Sequence, residues 1–230
     1  MKKASLSRSH SEAAGQVPAR PRKTPVQARS TATVLAICEA TIQVLLERGA
    51  SRLTTTHVSQ RAGVSVGTLY QYFPNKKALL HEVLRQHLTV ITEAVERACA
   101  ASHGYSVEQM ARAIALAFID AKLHDAKRSV ALYSVADFAE GRTIMEKLRK
   151  RATRALVTML QTAPGVEFHD PETTVLVLYS AMAGAARSVL EAGAGPRLVE
   201  SCRRELVLLA EGHLTRACQA RTVQARVAGD

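Results

Sequence analysis

Apolar residues recur on a helical period from about residue 30 to about residue 220, and nowhere do they alternate over a strand-length run. This pattern predicts an all-α chain, helices packed on helices, without internal repeats. With 230 residues, 47% of them apolar, there is material for a sizeable core without a disulfide or metal staple. No apolar stretch reads as a membrane span; residues 173–186 come nearest and are too short. The opening MKK leads into SLSRSHSEAAGQ rather than an apolar segment, so a cytoplasmic protein without a secretory signal is expected.

Charge is distributed unevenly. Residues 1–90 hold 13 Lys and Arg against 4 Asp and Glu, whereas residues 91–230 hold 18 against 16. One end suits a polyanion and the other does not, although a solvated basic tail has the same signature. Cys38, Cys99, Cys202 and Cys218 are widely spaced and form no C-x-x-C, and no H-x-x-x-H pair occurs. Buried thiols, no metal and no cofactor are therefore expected. G-x-S-x-G, Walker, G-x-G-x-x-G and H-E-x-x-H motifs are all missing from the sequence, which argues against an enzyme.

Residues 1–29 combine Pro18, Pro21 and Pro25 with basic and small residues and read as a disordered basic arm. A helix over 30–48 follows, capped by Ser30 or Thr31. Leu35, Cys38, Ile42, Leu45 and Leu46 fall on its inward face, and Gly49 stops it. Thr54 or Thr55 opens a short helix to Ala62. Gly63 supplies a left-handed turn residue, Val64 plugs the turn, and Ser65 caps a helix over 66–73. Pro74 and Asn75 end that helix, and Asn75 caps a long one over 76–100. Further helices are expected near 106–122, 128–138, 142–162, 171–192 and 196–220, with a flexible tail over 222–230.

Two short helices joined by Ala62-Gly63-Val64-Ser65 have the outline of a helix-turn-helix. On a helical wheel Val66 and Phe73 fall beside Leu69 on the inward side. Gly67, Thr68, Tyr70 and Gln71 fall outward, with Tyr72 on the flank. The outward face is small, hydroxylated, aromatic and amide-bearing, without a carboxylate, and suits phosphates and base edges.

Leu53–Leu80 (LTTTHVSQRAGVSVGTLYQYFPNKKALL) resembles the DNA-binding domain of the TetR/AcrR family of bacterial transcriptional regulators. The resemblance is carried by Thr54-Thr55, the Ala62–Ser65 turn, Gly67-Thr68-Leu69-Tyr70, Tyr72-Phe73, and Lys76 before Leu79-Leu80. It implies a three-helix DNA-binding domain over 30–75 and a helical ligand-binding and dimerisation domain over 76–221. The implied DNA contacts are Thr54, Thr55, Ser65, Val66, Gly67, Thr68, Tyr70, Gln71, Tyr72 and Lys76, with Gln71 the best base reader. Two positions depart from the family pattern. Val66 stands where many members carry Lys or Arg, a change that packing beside Leu69 explains. His57 stands where many carry an acid, which removes the acid of a capping box.

The resemblance further implies a homodimer that binds a palindromic operator in double-stranded DNA, represses transcription, and is released by a small-molecule effector. The alternative is a DNA-binding dimer controlled by a protein partner or acting without a ligand. No membrane partner is expected. Tyr105, Asp120, His124, Tyr133 and Asp137 are candidate ligand contacts. Leu178, Met182, Ala185, Leu206 and Leu209 are candidate dimer contacts. In the arm, Arg20, Arg22, Lys23 and Arg29 suit phosphate or the minor groove. Deleting residues 1–25 is expected to weaken DNA binding and to lower the salt slope by roughly 0.9 per lost phosphate contact. An unchanged slope on titration against salt would exclude the contact.

Overall fold

Five side chains cut the chain into helices at defined places. Thr54, Ser65, Asn75, Ser106 and Asp170 each accept a hydrogen bond from the backbone N–H three residues on, satisfying a donor that the helix cannot pair internally. The computed structural model describes residues 25–136 and 139–221. Within these, helices run α1 Pro25–Arg52, α2 Thr55–Ala62, α3 Val66–Tyr72, α4 Lys76–Ala101, α5 Val107–Leu123, α6 Ala126–Ala136, α7 Ala139–Leu160, α8 Pro171–Glu191 and α9 Pro196–Ala217. Two three-residue strands, β1 Val166–Phe168 and β2 Cys218–Ala220, pair antiparallel with Val166 opposite Ala220. The fold is all-α, as expected; this short ribbon, which ties the α7–α8 loop to the end of α9, carries no sequence signal of its own.

Several expectations need correction. The first helix begins at Pro25, not Ser30, because proline is compatible with a first helical turn. Gly49 (φ 74°) interrupts it as expected, and a further helical stretch continues to Arg52. Its inward face is also rotated from the expected one. Ile37, Cys38, Thr41, Ile42, Val44 and Leu45 are buried, while Leu35 and Leu46 are exposed. The predicted basic arm up to residue 24, with Arg20, Arg22 and Lys23, and the tail over 222–230 lie outside the described residues.

Two apolar cores form. The smaller joins Ile37 and Leu45 of α1, Val58 of α2, Leu69 of α3, Leu79 and Leu84 of α4, and Leu132 and Val135 of α6. The larger joins Val95 of α4, Met110, Ile114 and Phe118 of α5, Leu156 and Met159 of α7, Leu178 and Met182 of α8, and Leu206 and Leu214 of α9. Helix α4, which starts at the expected domain boundary, enters both cores. The helix expected over 171–192 forms as Pro171–Glu191, but the reading of residues 173–186 as too short for a membrane span needs correction. Pro171–Glu191 is long and apolar enough to cross a membrane, as is Ser30–Arg52. Each commits one face to a protein core, with Val175, Leu178, Met182 and Ala186 buried on α8. Burial also pushes the Cys38 thiol up to about 11 and the Cys99 thiol up to about 12, which removes thiolate reactivity at neutral pH.

His87 of α4 sits where the two cores meet. Its Nε2 is 3.1 Å from the Ser129 hydroxyl of α6, and that hydroxyl donates to the Lys122 carbonyl at 2.9 Å. Burial, helped by the positive charges of Lys122 and Arg128 and opposed by Asp125, lowers the imidazole from 6.5 to about 4. The folded value lies below the unfolded one, so this contribution to stability is complete above about 6.5 and is lost as pH falls toward about 4. Between about pH 7 and about pH 5 the loss from this group is about 2 kcal/mol. Urea unfolding at both pH values should show a smaller acid destabilisation in His87→Gln than in the native chain. Equal losses would show that His87 does not titrate in this way.

Candidate nucleic-acid interface and internal cavity

Helix α3 is held from behind and open in front. Leu69 is fully buried, Phe73 nearly so, and both pack into the smaller core. Gly63 in the left-handed region (φ 68°) turns the chain between α2 and α3, and its N–H returns to the last carbonyls of α2. Ser65 caps α3 twice over, accepting from the Thr68 N–H at 2.9 Å and lying 2.8 Å from the Thr68 hydroxyl. The Thr55 hydroxyl lies 3.2 Å from the Tyr70 hydroxyl, so the start of α2 and the outer side of α3 form one polar surface.

Gln71, Tyr70 and Gly67 are exposed on that surface, Thr68 and Tyr72 are half-buried, and Thr54 is exposed at the N-cap of α2. Val66 is 37% exposed, which corrects the wheel-based expectation that it packs inward beside Leu69. Gly67 has a negative φ, and a Cβ there would meet nothing closer than the Ser65 hydroxyl at 3.7 Å. The fold itself does not require glycine at that position.

The surrounding charge is one-sided. Between Glu47 and Glu82 the chain has no acid, and Arg48, Arg52, Arg61, Lys76 and Lys77 lie in that stretch. Arg61 is held by Glu47 on α1 at 2.6 Å. Lys76 donates to the Ala50 carbonyl at 2.7 Å, so it fastens the end of α1 to the start of α4 while retaining two further donors. His57 does not restore a capping box. Its N–H donates to Thr54, and its ring lies 3.4 Å from the Arg48 guanidinium.

A second feature lies in the larger domain. A cavity of about 460 Å³ opens between α4, α5, α6, α7 and α8, with Ile91, Phe118, Leu148 and Tyr179 among its walls. Tyr133 lines it, and its hydroxyl is shut off from solvent with no hydrogen-bond partner among the described residues. The other ligand candidates lie elsewhere. Tyr105 is exposed ahead of α5, Asp120 pairs with Arg203 of α9 at 3.1 Å, and His124 borders a smaller depression beside Cys38 and His87. Asp137 falls outside the described residues. Sequence reading missed Lys122, Arg149 and Arg187, which also line the cavity. They lie on α5, α7 and α8, and no local pattern brings them together.

The dimer candidates also divide. Leu178, Met182 and Leu206 are buried within the single chain, because α8 and α9 pack on α5 and on each other. Ala185 is half-buried and Leu209 is 39% exposed. The outward apolar residues of these helices are instead Leu176, Val177, Leu198, Leu208 and Leu209.

These features define a class: a helix-turn-helix protein with a helical second domain built around a cavity. Residues 37–83 match the bacterial regulatory proteins of the tetR family, and residues 106–214 match the tetracyclin repressor-like C-terminal domain. The chain belongs to the TetR family of DNA-binding transcriptional regulators. Helix-turn-helix transcriptional regulators from Mycobacterium tuberculosis and Mycobacterium bovis are 36% identical over 73 residues, covering 30% of this chain and 37% of theirs. The match thus spans little more than a third of those relatives. A TetR-family regulator from Mesorhizobium loti superposes with a TM-score of 0.67 at 18% identity over 82% of this chain and 98% of that one. FadR from Bacillus subtilis in complex with stearoyl-CoA gives 0.65 at 16% identity over 78% and 98%. The SmeT–triclosan complex gives 0.62 at 19% identity over 84% and 93%. At these identities the structural likeness is one of fold.

Proposed function

We propose that this chain is a cytoplasmic transcriptional repressor that binds a palindromic operator as a homodimer and leaves it when a small molecule enters the cavity. The observation that carries the DNA-binding part is the outer face of α3. It is anchored from behind by Leu69 and Phe73, and it presents Thr68, Tyr70 and Gln71 beside a glycine that the fold does not need. Open space at Gly67 lets a groove wall approach the backbone. Gln71 has the donor and acceptor pair that reads adenine, and the hydroxyls of Thr54, Thr55, Tyr70 and Tyr72 suit phosphates. Ser65 and Thr68 already bond to each other, so they position the helix as much as they offer contacts.

One such helix reads few base pairs. A two-fold dimer reads two half-sites about 34 Å apart, or a multiple of that spacing. The apolar outer faces of α8 and α9, with Leu176, Val177, Leu208 and Leu209, suit a second copy. The cavity supports control by a small molecule over control by a protein partner. Two relatives of the same fold were solved with small molecules, stearoyl-CoA and triclosan.

Operator sites selected from genomic DNA by the purified chain provide the assay. Tyr70→Ala with Gln71→Ala should cost about 1–3 kcal/mol of discrimination between selected and scrambled duplexes while non-specific binding persists. Undiminished discrimination would refute the reading of α3.

The dimer reading has its own test. Leu208→Glu with Leu209→Glu should give monomers by sedimentation, with intact helicity and lost operator affinity. Met182→Ala should instead lower stability by about 2–5 kcal/mol and leave the dimer in place. Dimers that persist in the double glutamate variant would place the interface elsewhere.

A further inference from the structure

The charge of the larger domain is nearly balanced, but the charge of its cavity is not. Lys122, Arg142, Arg149 and Arg187 line it, against Glu146 as the acid among the described lining residues. Glu146 is engaged by Lys150 one turn along α7 at 2.8 Å, and Arg187 pairs with Glu191 at 2.7 Å. Lys122, in the last turn of α5, is different: it is half-buried, and no acid pairs with it among the described residues. Its ammonium lies 5.2 Å from the centre of the Tyr133 ring, whose other close cation is Arg187 at 4.9 Å. The Tyr133 hydroxyl is itself buried and unpartnered. The remaining walls, including Leu88, Ile91, Phe118 and Leu148, are apolar.

We infer that the cavity takes an amphipathic anion, an apolar chain with one anionic head received by the Lys122 ammonium and the Tyr133 hydroxyl. This rests on the reading above that a small molecule occupies the cavity, and it specifies the chemistry of that molecule. A half-buried cation without a counter-charge and a buried hydroxyl without a hydrogen-bond partner among the described residues each cost free energy, and one anionic head relieves both. Charge-assisted bonds are the strong kind, and here they form away from water. A neutral ligand leaves Lys122 without an acid, and a cationic one adds repulsion from its ammonium. Burial and the nearby Arg187 charge lower Lys122 to about 8, so it remains mostly charged at neutral pH. The head site is also linked to the rest of the fold, since the Lys122 carbonyl accepts the Ser129 hydroxyl of α6.

The test is calorimetric titration of the full chain at neutral pH with four probes sharing one tail: dodecanoate, dodecyl phosphate, dodecanol and dodecyltrimethylammonium. Both anions should bind roughly tenfold or more tightly than the alcohol, and the cation weakest of all. The tighter of the two anions identifies the head as carboxylate or phosphate. Lys122→Met should erase the preference for anion over alcohol without lowering alcohol binding, and Tyr133→Phe should weaken the anions selectively. Alcohol binding equal to anion binding in the native chain overturns the inference, and that measurement needs no variant to fold. An unchanged anion preference in a folded Lys122→Met chain also overturns it. Operator binding is measured in parallel. Anions that bind at Lys122 yet leave operator affinity unchanged uphold the inference and refute release by a small molecule instead.

Discussion

Leu79, Leu80, Val83 and Leu84 share a helix with Ile91, Val95 and Cys99, yet the two groups are buried in different cores. The continuity of α4 is the constraint on which the other parts depend. It is a helix of 26 residues with an Asn75 cap at one end, and neither half can turn without moving the other. The first half places α2 and α3 through the apolar contacts around Leu69. The second half forms one wall of the cavity through Leu88, Ile91 and Thr92. A break in α4 would remove one of the connections between the outer face of α3 and the cavity.

Helix α6 adds a second connection with a different division of labour. Leu132 and Val135 are buried in the smaller core, while Tyr133 and Ala136 face the cavity. Arg128 reaches Glu39 of α1 at 2.8 Å. That ion pair is partly exposed and is worth little by itself. The apolar contacts decide the matter: a displacement of Tyr133 is carried to α1 because Leu132 and Val135 are packed against it, and interiors do not deform gradually.

What was legible in the sequence was local. Thr54, Ser65 and Asn75 announce helix starts because the bond they accept lies three residues away, and Gly63 announces its turn through its own φ. Leu69 and Phe73 follow from a period counted over two turns. Val66 did not follow, because a wheel gives a direction but not whether anything stands there to cover it. Leu35 and Leu46 failed in the same way at the margin of a stripe on α1. On α8 an apolar surface all round hides which face meets its own chain, so it does not distinguish the buried Leu178 and Met182 from the exposed Leu176 and Val177. The cavity was least legible. Lys122, Tyr133, Arg149 and Arg187 come from four helices and are brought together by packing alone.

That distribution has an energetic consequence. A hundredfold loss of operator affinity needs about 2.7 kcal/mol of difference between two conformers. Neutralising one buried ammonium and satisfying one buried hydroxyl is of that order, since bonds to charged groups contribute about 1.5–3 kcal/mol each. For the anionic ligand proposed above, the head would therefore not have to rebuild the domain. It would have only to favour the arrangement of α5 and α6 in which Lys122 and Tyr133 reach it together, and the Ser129 bridge between the Lys122 carbonyl and His87 of α4 would carry that preference to the helix shared by both cores.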